Sequence, residues 1–135
     1  MLDPQFVIAV HDEIIAELGG LPGLAGGGAG AVEAALFRVE MHAQYAELND
    51  VFGIAGLYAE AIARGHVFND ANKRTALTCA LTYLYGQGIE VPRSPELEEV
   101  MVHLAAGNLS GEDVADFLYA VWIDHGQPAV GNAAN

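Results

Sequence analysis

The sequence of 135 residues is apolar and strongly acidic: 53% of residues are hydrophobic, and 18 Asp and Glu against 5 Lys and Arg give a formal net charge of −13. The apolar content argues against disorder, and the length is that of one domain with a real core. The charge argues against direct nucleic-acid binding and against docking on anionic lipid. We expect residues 1–125 to form this domain and residues 126–135 to be a disordered tail.

The cysteine content and the apolar runs indicate a cytoplasmic protein. Cys79 is the only cysteine, so no disulfide can form within the chain. The longest uncharged internal runs, 18–32 and 75–89, have 15 residues each, fewer than the roughly 18 that suggest a membrane-spanning helix. The N-terminus lacks a basic region followed by an apolar stretch, so no signal peptide is predicted.

Apolar residues recur at helical spacing along almost the whole chain and predict six helices. The predicted starts, in chain order, are Pro4, Ala31, Asp50, Asp70, Ser94 and Ser110. Residues 19–30 contain seven glycines but lack the Gly-Lys-Ser/Thr of a phosphate loop, and are predicted to be a mobile connection. Only residues 89–91 have an extended pattern. The sequence therefore predicts an all-α fold, a compact bundle of about six helices.

The predicted fourth helix, ending near Gln87, is apolar on more than one side. It carries no charge from Thr75 to Tyr85, with Leu77 and Leu84 on one side and Cys79 on another. A helix of this kind belongs inside a bundle. We predict that it is the central helix and that Cys79 is a core residue rather than a nucleophile.

Lysine and arginine are concentrated in one short segment. Three of the five cations, Arg64, Lys73 and Arg74, lie within residues 64–74. Lys73 and Arg74 fall in the first turn of the fourth helix, where the helix dipole disfavours cations unless an anion compensates them. This placement predicts a bound phosphate, which Arg74 could hold through two hydrogen bonds and Lys73 as a point charge.

Four further residues of the same segment suggest roles around that phosphate. Asp70 could cap the helix, bind a Mg²⁺ that bridges phosphate oxygens, or do both. Asn72 could donate to phosphate or fix the loop, and His66 could take a proton from an attacking hydroxyl. Phe68 is predicted to anchor the loop on the bundle. The remaining histidines lack metal-ligand spacing and are predicted to be surface or core residues: His11, His42, His103 and His125.

Residues 66–74 match the pattern His-x-Phe-x-Asp/Glu-x-Asn-x-Arg, and the chain thereby resembles the Fic/Doc family. It is most similar to the Doc branch, because Lys73 stands where the adenylylating Fic proteins have glycine. Val67 and Ala71 also differ from the Fic pattern, which usually has proline and glycine there. The resemblance covers roughly residues 5–122 and implies the helical Fic/Doc fold.

The resemblance implies an ATP- and Mg²⁺-dependent toxin that phosphorylates a threonine of elongation factor Tu and so halts translation. On that template His66 is the general base and Asp70 binds Mg²⁺, while Asn72, Lys73 and Arg74 hold the phosphates of ATP. The implied partner is a Phd-like antitoxin, whose C-terminal segment folds against the toxin. The self-inhibitory motif of some Fic proteins finds no match, so inhibition should act in trans.

Two other functions remain open at this point. A Fic-type AMP transferase would use the same motif, although Lys73 speaks against it. A catalytically silent antitoxin-binding module would not need His66, Asp70, Lys73 and Arg74 together. A metal-dependent hydrolase is a more distant candidate, because one His/Asp pair supplies too few ligands.

Overall fold

The computed structural model describes residues 1–125, which form six α-helices and no strand. The helices are α1 (Pro4–Leu18), α2 (Gly28–Tyr45), α3 (Val51–Gly65), α4 (Asn72–Gly86), α5 (Pro95–Ala105) and α6 (Gly111–Asp124). The predicted all-α bundle of about six helices is confirmed. The predicted tail, 126–135, lies outside the described residues. Within the described part, no helix has the length and apolarity needed to cross a membrane.

Local capping chemistry explains where four of the helices begin. The side chains of Asp3, Asp50 and Ser94 each accept a hydrogen bond from a backbone N–H in the first turn of α1, α3 and α5. Ser110 and Asp113 form a reciprocal capping box at the start of α6, as predicted. Such caps contribute about 1 kcal/mol each to the stability of a helix. Capping residues therefore mark these helix starts in the sequence.

Two predicted helix starts are wrong. α2 begins at Gly28 rather than at Ala31, so that its first turn contains two glycines, which intrinsic helix propensity disfavours. α4 begins at Asn72, and its N-cap is Ala71 in a left-handed conformation with φ 62°. Asp70 is therefore not the cap, since its carboxylate turns back to other backbone groups. Residues 89–91 pair with no strand in the described chain.

α3 and α4 together form the centre of the bundle. α4 packs against α1, α3 and α5, and α3 packs against α2, α4, α5 and α6. The predicted apolar sides of α4 are buried, with Leu77, Cys79 and Leu84 all at most 1% exposed. α3 has a comparable set of buried residues, large and small alike, of which Tyr58 and Ala59 are 0% exposed. Burial raises the pKa of the Cys79 thiol to about 12, in keeping with an inert core residue.

The contact between α3 and α6 depends on two glycines. A Cβ atom on Gly56 would collide with the backbone carbonyl oxygen of Gly111, and a Cβ on Gly111 would lie 2.9 Å from the carbonyl oxygen of Gly56. The two helices can therefore approach this closely only because both positions lack a side chain. This approach fixes α6 against α3, the helix that precedes residues 66–74.

Replacing Gly56 with alanine should destabilise the fold. The added methyl group meets backbone that cannot move without separating α3 from α6, and we expect the free energy of unfolding to fall by roughly 1–3 kcal/mol. Urea denaturation followed by circular dichroism measures this change. The matched control is Gly86→Ala, where a Cβ meets nothing within 4 Å and should be neutral or slightly stabilising. Equal stability of the two variants would contradict the role assigned to Gly56.

Candidate active site

The motif loop, residues 66–71, connects α3 to α4 through two left-handed residues that are not glycine. His66 has φ 50° and Ala71 has φ 62°. Such conformations cost about 1–2 kcal/mol each for residues with a Cβ, so contacts elsewhere must hold the loop. One such contact is Asn72, whose Oδ1 accepts from the Phe68 N–H at 3.2 Å and whose Nδ2 donates to the Phe68 carbonyl at 3.0 Å. The Asn72 amide is thus used to close the loop.

The middle of the motif loop is attached to α1. Phe68 is 2% exposed, and its ring stacks on that of His11 with centroids 3.9 Å apart. His11 is fully buried, and its Nε2 lies 2.9 Å from the carbonyl oxygen of Asp70. A carbonyl can only accept, so Nε2 carries the hydrogen of this bond. Helix α1 therefore holds both the ring and the backbone of the loop.

The other side of the motif loop pairs with residues 20–25, which we call the glycine segment. The Ala25 N–H donates to the Val67 carbonyl at 2.9 Å, and the Asn69 N–H donates to the Gly23 carbonyl at 3.1 Å. Residues 19–30 are predicted to be a mobile connection; part of this connection pairs with the motif loop in an antiparallel bridge, and residues 28–30 belong to α2. The pairing satisfies backbone groups that a loop would otherwise leave to water.

The Asp70 carboxylate is fixed by backbone groups on both sides. It accepts hydrogen bonds from the N–H of Leu21 at 3.1 Å and from the N–H of Ala71 at 2.8 Å. These two bonds, with a smaller contribution from the Arg74 charge, lower the pKa of Asp70 below its usual value. The carboxylate is therefore ionised at neutral pH. Gly20 is required beside it, since a Cβ there would lie 2.8 Å from Oδ2 of Asp70.

The cations of the segment have two different roles. Lys73 and Arg74 are exposed in the first turn of α4, and within residues 1–125 neither forms an ion pair. Arg64, in contrast, forms an ion pair with Glu60 at 2.6 Å and donates to the carbonyl of Leu104 at 2.9 Å. Arg64 thus ties α3 to the end of α5 and has a structural role, which leaves Lys73 and Arg74 available for an anion.

The first turn of α4 is suited to bind that anion. Its N-cap, Ala71, offers no side-chain acceptor. The N–H groups of the first turn therefore have no capping partner and can donate to a ligand. Uncapped N–H groups, the helix dipole and two cations together favour a phosphate group. His66 is exposed at the other end of the motif loop, where α3 ends. Asp70, Lys73 and Arg74 therefore lie close together at the start of α4, and His66 lies at the other end of the same loop.

A divalent metal ion fits this site only together with a phosphate ligand. Among residues 1–125, no group of three or more His, Cys, Asp and Glu side chains could hold a metal by itself. Asp70 supplies one ionised carboxylate, and Mg²⁺ is commonly bound by one or two carboxylates with phosphate oxygens and water as its other ligands. The donor set thus suits a magnesium–nucleotide complex and does not suit a metal-dependent hydrolase.

Comparison with known proteins gives the class of the chain. The model of the Fic/DOC family matches residues 1–84. The chain therefore belongs to the Fic/Doc family, as the pattern of residues 66–74 predicted. A curated relative, "Protein kinase doc" of Escherichia phage P1, is 45% identical over 117 residues, which cover 87% of this chain and 91% of the relative.

His11 is the residue of this region that the sequence analysis missed. It was expected to be an ordinary surface or core histidine, yet it contacts the motif loop through both its ring face and Nε2. A signal was available, because His11 follows Val7 by four residues and precedes Ile14 by three, and so lies on the apolar face of α1. A polar residue on a buried face needs a partner, and the partner here is the loop.

Replacing His11 with leucine should loosen the motif loop. Leucine fills the buried position with an apolar side chain but has no hydrogen to donate to the Asp70 carbonyl. We therefore expect the free energy of unfolding to fall by about 1–2 kcal/mol. Urea denaturation measures the change. His42→Leu, at an exposed position of α2, is the control and should change stability by no more than about 0.5 kcal/mol. Equal values for the two variants would show that His11 does not hold the loop.

Proposed function

We propose that this chain is a Doc-type toxin of a toxin–antitoxin pair, acting in the cytoplasm as a protein kinase. In this proposal it transfers the γ-phosphate of ATP to a threonine of elongation factor Tu and thereby inhibits translation. The observation that carries the proposal is the uncapped start of α4, where Lys73 and Arg74 stand without ion pairs among the described residues, next to the ionised Asp70. The similarity to a relative named a protein kinase supports the same reaction.

The phosphate groups of ATP would be held at the start of α4. The free N–H groups of the first turn are the first contact, and Arg74 adds a guanidinium that can donate two parallel hydrogen bonds. Lys73 adds a mobile positive charge, and Asn72 contributes by keeping the backbone of the motif loop in place. In phosphoryl transfer, such positioning and charge neutralisation supply most of the rate enhancement.

Asp70 would hold the Mg²⁺ that accompanies ATP. Its carboxylate is ionised and is already oriented by the N–H groups of Leu21 and Ala71, so little reorganisation is needed for binding. Bound there, Mg²⁺ would neutralise the charge that accumulates on the phosphate oxygens. The glycine segment contributes the Leu21 N–H and is in this sense part of the site.

His66 would serve as the general base. A ring nitrogen takes the proton of the threonine hydroxyl while the hydroxyl oxygen bonds to the γ-phosphorus and the bond to the ADP oxygen breaks. Its position supports this role, because the end of α3 leaves the ring exposed to an incoming protein substrate.

The partner that controls the toxin would be a Phd-like antitoxin, bound through its C-terminal segment. The chain contains no match to the self-inhibitory motif of Fic proteins, which favours inhibition by a separate protein. The charge of −13 suits a partner segment with basic residues.

The test is transfer of label from ATP to elongation factor Tu in the presence of Mg²⁺, with the label at the γ- or the α-phosphate. We expect label from the γ position only, and we expect His66→Ala to reduce transfer by about 10²–10⁴-fold because the general base is lost. His42→Ala, at an exposed histidine of α2, is the control and should transfer normally. The melting temperature of both variants should match that of the parent chain.

Three outcomes would contradict this proposal. Label from the α position would make the chain an AMP transferase and would show that Lys73 does not determine the chemistry. Full activity of His66→Ala would remove the role assigned to His66. Absence of transfer from either position would contradict the kinase reaction on elongation factor Tu.

A further inference from the structure

A cavity of about 290 Å³ lies between α2 and α3. α2 contributes the side chains of Arg38 and His42, and α3 contributes Glu60, Arg64 and Gly65, with small and aliphatic residues between them. Arg38 and His42 are exposed, so the cavity is reached from solvent. Its volume is at the lower limit of sites that bind small organic ligands, which suits one side chain of a partner better than a whole cofactor.

This cavity lies on the side of the proposed general base. Gly65, which lines it, directly precedes His66, and His66 is exposed where α3 ends. The cavity contains no residue of α4, the helix that carries the proposed phosphate site. A protein substrate must bring its hydroxyl to His66 from solvent, and the residues that flank this hydroxyl then pass over the neighbouring surface. The cavity is therefore placed to contact the substrate rather than the phosphates.

The charges of the cavity leave one guanidinium without a carboxylate. Glu60 and Arg64 compensate each other, since their side chains form an ion pair at 2.6 Å. Arg38 forms no ion pair within residues 1–125. The nearest carboxylates of α2 along the chain, Glu33 and Glu40, are five and two positions away and so point to the other side of the helix. In a chain with a net charge of −13, this isolation of Arg38 favours an anionic partner.

The outer face of α2 beside Arg38 is apolar. Phe37, Met41 and Tyr45 follow one another at four-residue intervals, which places them along one side of the helix. They are 58%, 40% and 91% exposed, so the bundle does not cover them. Exposed apolar side chains bordered by charged residues are typical of surfaces that bind another protein. This face favours a protein segment over a free anion as the occupant of the adjoining cavity.

We propose that the cavity between α2 and α3 is a recognition site for the protein substrate and takes an acidic side chain that flanks the acceptor hydroxyl. Arg38 is the residue that determines this preference. The inference rests on the proposed kinase function and adds a feature of its substrate. The guanidinium of Arg38 would donate to the substrate carboxylate, and apolar residues of the same segment would pack on Phe37 and Met41.

The experiment compares binding and transfer with elongation factor Tu as the probe. Titration calorimetry without nucleotide measures the affinity, and we expect Arg38→Gln to weaken it by roughly tenfold, because a charge-assisted hydrogen bond is lost. In the transfer assay the KM for the factor should rise by a similar ratio, while kcat and the KM for ATP stay unchanged. Arg38→Lys keeps the charge and should retain most of the affinity.

The matched control for the binding measurement is Arg93→Gln. It removes the same charge from a different cavity, between α1, α4 and α5, and should leave the affinity for elongation factor Tu unchanged. Added salt should weaken binding by the parent chain more than binding by Arg38→Gln, because the variant lacks one of the interacting charges. All three variants should keep the melting temperature of the parent chain, since both arginines lie outside the buried core.

Each outcome decides the inference. Equal affinities of Arg38→Gln and Arg93→Gln would overturn it and leave the kinase proposal intact, as would a loss in Arg38→Lys as large as that in Arg38→Gln. A change in kcat without a change in the KM for the factor would overturn it too, as would a parent chain that does not bind the factor. If Arg38→Gln weakens binding as expected but the parent chain transfers no phosphate, the recognition site stands and the kinase proposal fails.

Discussion

The hydrogen bond from the buried His11 ring to the carbonyl of Asp70 connects the first helix to the loop on which the site is built. The loop leaves α3 at His66 and enters α4 at Ala71, both in the left-handed conformation, so contacts from elsewhere must hold its shape. The stacking of His11 on Phe68 adds a second contact from the same side chain. On the opposite side, pairing with the glycine segment completes the support. The motif is therefore held by parts of the chain far from it in sequence.

This support makes an unfavourable arrangement of charges possible. Two cations occupy the first turn of α4, where the dipole repels them, and the turn has no capping side chain. Asp70 was the expected cap, but its carboxylate accepts from the N–H groups of Leu21 and Ala71 instead. The two cations and the missing cap each reduce local stability. Together they leave an uncompensated positive site with one ionised carboxylate beside it. In the proposed function, a magnesium–nucleotide complex would supply the charges that the arrangement lacks.

The sequence was sufficient to predict those parts of the structure that local chemistry determines. Capping residues such as Ser110 and Asp113 act within one helical turn, and helical spacing needs no knowledge of the tertiary fold. It was insufficient where partners lie far apart along the chain. The pairing of Ala25 with Val67 uses backbone groups, which carry no residue-specific signal. The different roles of Arg64 and of Lys73 and Arg74 likewise depend on which neighbours the helices bring near, and clustering along the sequence could not separate them.

The central claim is that the glycine segment and α1 hold the motif loop in the geometry of the site before any ligand binds. Native-state hydrogen exchange of the Ala25 and Asn69 amides tests it most directly, because these two N–H groups make the hydrogen bonds between the segment and the loop. The account predicts that both amides are strongly protected in the free protein and lose protection in His11→Leu. Exchange at the rate of an unstructured chain in the parent protein would contradict it.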